Sequence, residues 1–447
     1  MKKKRICLLL CFLLFVLSIP GCGYEDEAVT EAGNKLENEI QILNDNEIGQ
    51  ITYDRPISAP NVLVDRCGYE MDNSKKVIFL GENLEDSFSL IDKSTGEIVY
   101  TGAIKKAVLD EATGKYVSQG DFTEFCQEGT YYIETSIIGQ SYAFSIADKY
   151  YEMLYEQLEK EIHIDSIVAT CDTTSEAIEA LSALLLLQEF FLKETQTDLE
   201  ESAQLLSKVG KQIDRLLEKQ DKTTGGIKEK ESDSDFSFET TDQYAALLAD
   251  YVYLYKKTKG YDVVYTNQLQ KAAESAYNYG NSQQNMYEDS HYFAATQMFR
   301  SFSNRRYNDL ILVYDSYHEN LAENSQNTGR YKLYGDIIYL STSGNVNGEL
   351  CEKYMKNLLG QAEMIGDSLK QNPYLVYGED LDSIIDGMLV LTIADHVIVS
   401  HEYLGILKEE LHYLYGRNIS CEVKPDTIVS KALLLFVLGD MRNREES

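Results

Sequence analysis

Side chains able to ligate metals or attack substrates are sparse in these 447 residues, which include 6 His, 8 Cys and no Trp. Asp395-His396, with His401 close behind, has the residue types of an acid–base or metal pair. Its neighbours Ile393, Val397, Ile398, Val399 and Leu404 are apolar, which favours a half-buried packing site instead. His291 beside Tyr292 reads as structural for similar reasons. The stripe Tyr251-Val-Tyr-Leu-Tyr255 has rings that a sugar can stack on, although at helical spacing it serves packing and surface. Cys67, Cys126, Cys171, Cys351 and Cys421 are scattered singly, with no C-x-x-C and no His at metal spacing. They read mostly as small buried hydrophobes, outside any disulfide framework or zinc site. No Gly-rich phosphate loop, nucleophile elbow or Ser/His/Asp order is present. No cofactor and no metal are expected.

Cys22 has a different setting. Lys2, Lys3, Lys4 and Arg5 precede an apolar run from Ile6 to Pro20 that is short for a transmembrane helix. Gly21-Cys22 closes that run as a bacterial lipoprotein signal does. Residues 1–21 are therefore expected to be a signal peptide, with Cys22 lipidated and the protein held outside the cytoplasmic membrane. An ordinary secretory signal or an uncleaved anchor is the alternative. Residues 22–56 are polar and acidic and read as a tether.

Charge narrows the partners. With 41 Lys+Arg against 73 Asp+Glu, the formal net charge is −32. A surface this negative repels phosphate backbones, so nucleic acid is excluded as a partner. Neutral ligands such as sugars stay open, although the absence of Trp removes a favoured stacking surface. The hydrophobic fraction, 44%, is ample for a large core.

The elements that must position these residues fall into two blocks. Residues 57–147 read as short strands and turns: Asn61–Asp65, Lys76–Leu80, Ser87–Ile91, a hairpin through Ser94-Thr-Gly96, then Gly129–Glu134 and Ser141–Ile146. Seven or so strands in this length suggest an immunoglobulin-type sandwich. From Asp148 the hydrophobic period becomes helical. Thr173-x-x-Glu176 and Thr197-x-x-Glu200 read as capping boxes. Eleven helices are predicted across 148–447, with two longer loops at 225–240 and 323–348. Stacked helix pairs of this number suggest a toroid or solenoid.

Asn61-Val-Leu-Val-Asp-Arg-Cys-Gly-Tyr69 resembles the opening strand of the immunoglobulin-like module that precedes family-nine glycoside hydrolase domains. Leu90–Gly102, Asp121–Phe125, Glu128–Glu134 and Ser141–Ile146 continue that pattern in order. In the helical half, Asp214–Asp221 with Gly225-Gly226, Glu288–Phe299 and Leu411-His-Tyr-Leu-Tyr-Gly-Arg-Asn418 resemble the family's helices, the last most closely. The resemblance implies an immunoglobulin-like β-sandwich over 57–147 and an (α/α)6-type helical barrel over 148–447. Eleven helices leave open whether that barrel is complete.

What the resemblance implies for chemistry is an inverting β-glucan hydrolase. Such hydrolysis needs an acid and a base separated by about 6.5–9.5 Å. The family's early "D-A-G-D-Y" element falls on Cys171-Asp-Thr-Thr-Ser-Glu176, placing Asp172 on the first Asp and Ser175 on the usual base. Past Arg417-Asn418 the family's His-His-Arg loop is missing. Asp426 then falls near the acid, with Glu422 a second choice; Asp426 also reads as a plain helix cap. Tyr292 lies near a usual Trp and becomes a candidate for substrate stacking. With the base and acid altered, the chain is expected to bind β-glucan or another polysaccharide with little hydrolysis. A working hydrolase and a non-sugar interaction protein are the alternatives.

Overall fold

The computed structural model describes residues 61–192, 196–281, 285–321, 329–398, 402–419 and 425–445. Cys22, Cys421, Glu422 and His401 lie outside them. Ten short strands come first: β1 Val62–Leu63, β2 Gly68–Glu70, β3 Lys76–Leu80, β4 Ser87–Asp92, β5 Ile98–Ala103, β6 Val108–Asp110, β7 Lys115–Asp121, β8 Gly129–Thr135, β9 Gly139–Gln140 and β10 Phe144–Ala147. One sheet has the order β1-β3-β7-β6. The other runs β2-β10-β8-β4-β5, with β9 on β8. All described pairings are antiparallel except β2 with β10. Strands alternate inward and outward residues, so Val77, Phe79, Phe88, Leu90, Tyr131 and Ile133 fill the sandwich core.

Along β1, β3 and the middle of β7 the first sheet is buried on both faces, while β6 at its edge is exposed. Leu63, Ile78, Leu80 and Val117 point away from the sandwich and belong to the helical core. That explains why β3 is a continuous apolar run, Val77-Ile-Phe-Leu80, instead of an alternating one. The turn into the helices is tight. Lys149 is left-handed (φ 59°), and the Glu70 carboxylate accepts from the backbone N–H groups of Lys149 (2.6 Å) and Tyr151 (3.3 Å), occupying the first helix's N-terminus.

Among the described residues twelve helices of more than ten residues follow, one more than the sequence predicts. They are α1 Tyr150–Glu161, α2 Thr174–Phe190, α3 Gln196–Lys219, α4 Phe238–Tyr255, α5 Val263–Asn281, α6 Asp289–Phe302, α7 Arg305–Leu321, α8 Arg330–Leu340, α9 Gly348–Gln371, α10 Leu381–Ile398, α11 Leu404–Leu414 and α12 Ile428–Glu445. The even-numbered helices touch in the order α2, α4, α6, α8, α10, α12 and back to α2, closing an inner ring of six. The odd-numbered ones pack outside it, so the barrel is complete. Because inner and outer helices alternate in direction, all six inner N-termini share one end, called the mouth below.

The unexpected helix is α8, inside the stretch read as a long loop. Its sequence, RYKLYGDIIYL, buries Tyr334, Asp336 and Tyr339 and has a central glycine, so no apolar stripe announces it. Gly335 is required there: a Cβ would sit 2.2 Å from the Tyr292 ring. The capping box at Thr173 and Glu176 forms as expected, with the Glu176 N–H donating to Thr173 Oγ1 at 3.1 Å. The helix α3 begins at Gln196, and the Thr197 side chain of the second expected box lies outside the described residues. The cysteines also differ from expectation. Cys67 and Cys126 are exposed, Cys171 and Cys351 are half-buried, and all four are free thiols.

Candidate functional site: the barrel mouth

The first turns of the inner helices bring acidic side chains together. Arg330 opens α8, the fourth inner helix, and its guanidinium reaches Glu179 on α2, the first, across the ring. Nε also donates to Asp386 of α10 at 2.6 Å, and Asp382 lies 3.6 Å from Nη2. Arg330 and Glu179 are only 14% and 15% exposed, so this bridge sits inside the mouth. Beneath it, the buried Tyr334 hydroxyl has no hydrogen-bond partner among the described residues. Phe293 and Tyr331 stack beside it at 6.0 Å. Burial pushes the Asp386 carboxyl up, and Arg330 pulls it back only in part. Glu239, at the start of α4, is also raised, first by burial and then by Glu229, Glu288, Glu179 and Asp242. A cavity of about 240 Å³ opens beside the bridge, lined by Tyr377, Gln361, Ser383, Asp386 and Val390.

The residues singled out from sequence are placed as follows. Asp172 and Asp426 precede α2 and α12, neighbours in the ring, and both are exposed. The Asp172 backbone N–H donates to Glu176 Oε2 at 3.0 Å. Ser175, at the base place, donates its hydroxyl to Gln243 Oε1 at 2.6 Å, so its proton goes to an amide oxygen. Asp426 is not the helix cap: Thr427 Oγ1 accepts from the Ser430 N–H at 3.0 Å and takes that role. Tyr292 is not open to a ligand. It is 1% exposed, donates to Asp336 Oδ1 at 2.7 Å and stacks on Tyr314 at 4.3 Å. Its apolar neighbourhood drew the ring inward.

His291, His396 and His412 are packed into the structure. His291 Nδ1 pairs with Asp242 Oδ1 at 2.9 Å and stacks on Tyr277 at 4.4 Å. The Asp395 carboxylate accepts from the Tyr403 N–H, while His396 lies edge-on to Phe190 and Phe191. His412, in the stretch Leu411–Asn418, serves the joint between the two blocks. Its Nδ1 meets Asp65 Oδ2 at 2.8 Å and its Nε2 lies 3.3 Å from the Tyr151 hydroxyl. Arg417 is fully buried and binds Glu409, which in turn holds Lys76 of β3 at 2.6 Å. The sequence reading missed Arg330, Glu179 and Asp386. A basic residue at a helix N-terminus, where acidic groups are favoured, was the available signal for Arg330.

Two family models cover this architecture in sequence order. One, described as Cellulase N-terminal ig-like domain, matches residues 58–140. The other, described as Glycosyl hydrolase family 9, matches residues 141–421. The chain belongs to glycosyl hydrolase family 9. Solved structures agree on the fold. The GH family 9 endoglucanase J30 superposes with a TM-score of 0.62 at 18% identity, covering 78% of this chain and 82% of that one. A Bacteroides ovatus GH9 protein gives 0.64 at 14% identity, covering 86% and 99%. A metagenome-derived family 9 endoglucanase gives 0.65 at 13%, covering 85% and 98%. Among curated protein sequences no relative matches. Within the family 9 fold, this chain has Ser175 where the resemblance puts the base, and a guanidinium bridging two walls of the mouth.

Proposed function

We propose that this family 9 chain is a surface-tethered saccharide binder that hydrolyses its ligand very slowly or not at all. The Arg330 bridge is the observation that carries the reading. It ties Glu179 and Asp386 to one guanidinium inside the mouth, where a glycosidase needs one carboxyl free to donate a proton and another free to accept one. A general base contributes about 10²–10⁴-fold, and Ser175 supplies none. Misplacing a proton donor by about 1 Å costs on the order of 10²-fold, and Asp426 is one carbon shorter than a glutamate. Binding needs neither group. The cavity beside the bridge offers the Tyr377 ring and polar groups from Gln361 and Ser383. Relatives are named endoglucanases, and one, AaCel9A, is described in complex with cellobiose-like isofagomine, so β-glucan is the ligand class we assign. Anchoring through Cys22 belongs to the same proposal.

Reducing-sugar release from mixed-linkage glucan, cellulose and xylan tests it, together with a glucan pull-down. Background release with retained binding is expected for wild type, Asp172→Asn and Asp426→Asn. The raised carboxyl of Glu239 favours a second reading, a working hydrolase with that group as acid. Wild-type turnover of about 1 per second, abolished in Glu239→Gln, would establish that enzyme instead. Neither release nor binding would leave a non-sugar interaction protein. Labelling with a tagged fatty acid should mark wild type and spare Cys22→Ala; equal labelling refutes the anchor.

A further inference from the structure

A second cleft, of about 630 Å³, lies between the β module and the outer helices. Small-ligand sites span roughly 300–1,000 Å³ and favour domain boundaries. Its two walls carry opposite charge. Lys76 of β3 and Lys105, just after β5, stand on the β side; Glu363 and Asp367 of α9 and Glu402 stand on the helical side. Part of this charge is already paired, Lys76 with Glu409 at 2.6 Å and Asp367 with Lys370 at 3.4 Å. Lys105 Nζ donates to a neutral partner, Gln119 Oε1, at 3.1 Å. Glu363 is exposed on the facing wall. Ile406, half-buried, supplies apolar surface between the walls.

We propose that this cleft binds a short zwitterionic peptide, its carboxylate on Lys105, its ammonium on Glu363, and an apolar side chain over Ile406. A ligand of single charge is repelled by one of the walls. A neutral sugar leaves both walls unused and finds no ring to stack on, because Tyr403 is only 6% exposed. A dipolar ligand with an apolar middle satisfies all three surfaces. The site is separate from the mouth and does not depend on the saccharide reading.

Calorimetric titration of the full chain with the tripeptide Ala-Leu-Ala tests it. The peptide with free ends should bind saturably at one site. Its N-acetylated, C-amidated form should bind at least about tenfold more weakly, because both charge-assisted contacts are lost. Lys105→Ala and Glu363→Gln should each weaken the free peptide about tenfold. Both side chains are exposed, so melting curves should match wild type and separate loss of the site from loss of fold. Equal binding of free and capped peptide, no saturable heat, wild-type affinity in both variants, or displacement of the peptide by cellotetraose would each overturn the proposal.

Discussion

At the residue scale, Arg330 decides what the mouth can do. Removing it leaves Glu179 and Asp386 facing one another, mostly out of water. Loss of one partner from a fully buried pair costs about 3–5 kcal/mol; with Asp386 41% exposed, Arg330→Ala should cost about 2 kcal/mol at neutral pH. The cost should shrink in acid. Asp386 is already held above the ordinary carboxylate range by burial, so below its folded value it takes up a proton and sheds the unpaired charge. Denaturant titrations of both proteins at pH 7 and pH 4.5 check this, and a penalty that grows in acid contradicts it. Glu409 behaves in the opposite sense. Burial alone would raise it, but Arg417, then Lys76 and His412, hold it down at about 2. Its stabilisation is present above the unfolded carboxylate value, roughly 4.3, and is lost as the pH falls toward 2. The joint should therefore hold from neutral pH to about 4.5 and weaken below it, visible as faster proteolysis near Ala147–Lys149. The sequence located Asp172 and Asp426 at helix starts because caps and apolar onsets are local signals. It did not reveal Arg330, whose role comes from carboxylates 151 and 56 positions away.

At the scale of elements, α8 shows where pattern reading stops. Its period is obscured because its buried positions carry tyrosines and an aspartate, Asp336, that pairs with Lys332 one turn away and with the distant Tyr292. The inner helices read clearly where they are apolar all round, as α2 and α10 are. Gly335→Ala separates packing from propensity. Alanine is the better helix former by about 1 kcal/mol. Here its methyl would collide with the Tyr292 ring, and overpacking costs about 1–3 kcal/mol. The variant should be less stable than wild type in urea; a gain would mean that Tyr292 moves aside freely. Thr173→Ala should cost about 1 kcal/mol through loss of the α2 capping box. A change within about 0.2 kcal/mol would show that this box contributes little.

On the scale of the whole molecule, the two blocks are joined through shared core rather than a linker. Val77 and Phe79 face the sandwich while Ile78 and Leu80 face the barrel, so one strand contributes to both cores. Scanning calorimetry should give one cooperative transition for residues 61–445. A helical half made without residues 61–147 should bind a hydrophobic dye and melt lower, having lost Leu63, Ile78, Leu80 and Val117 from its core. Two well-separated transitions in the full chain would contradict this coupling. The two-block plan was legible from the switch in hydrophobic period near Asp148. The doubly buried sheet was hinted at by the unbroken Val77–Leu80 run, but its second partner was not, since the barrel residues that cover it come from much later in the chain.

The stretch Leu411–Asn418 identifies kinship most clearly, yet His412 and Arg417 spend their bonding on Asp65 and Glu409. That stretch therefore serves the seam between the two blocks, and the fold needs the seam whether or not the chain turns over substrate. A match confined to it therefore reports on how the two blocks are held together and carries no information about turnover.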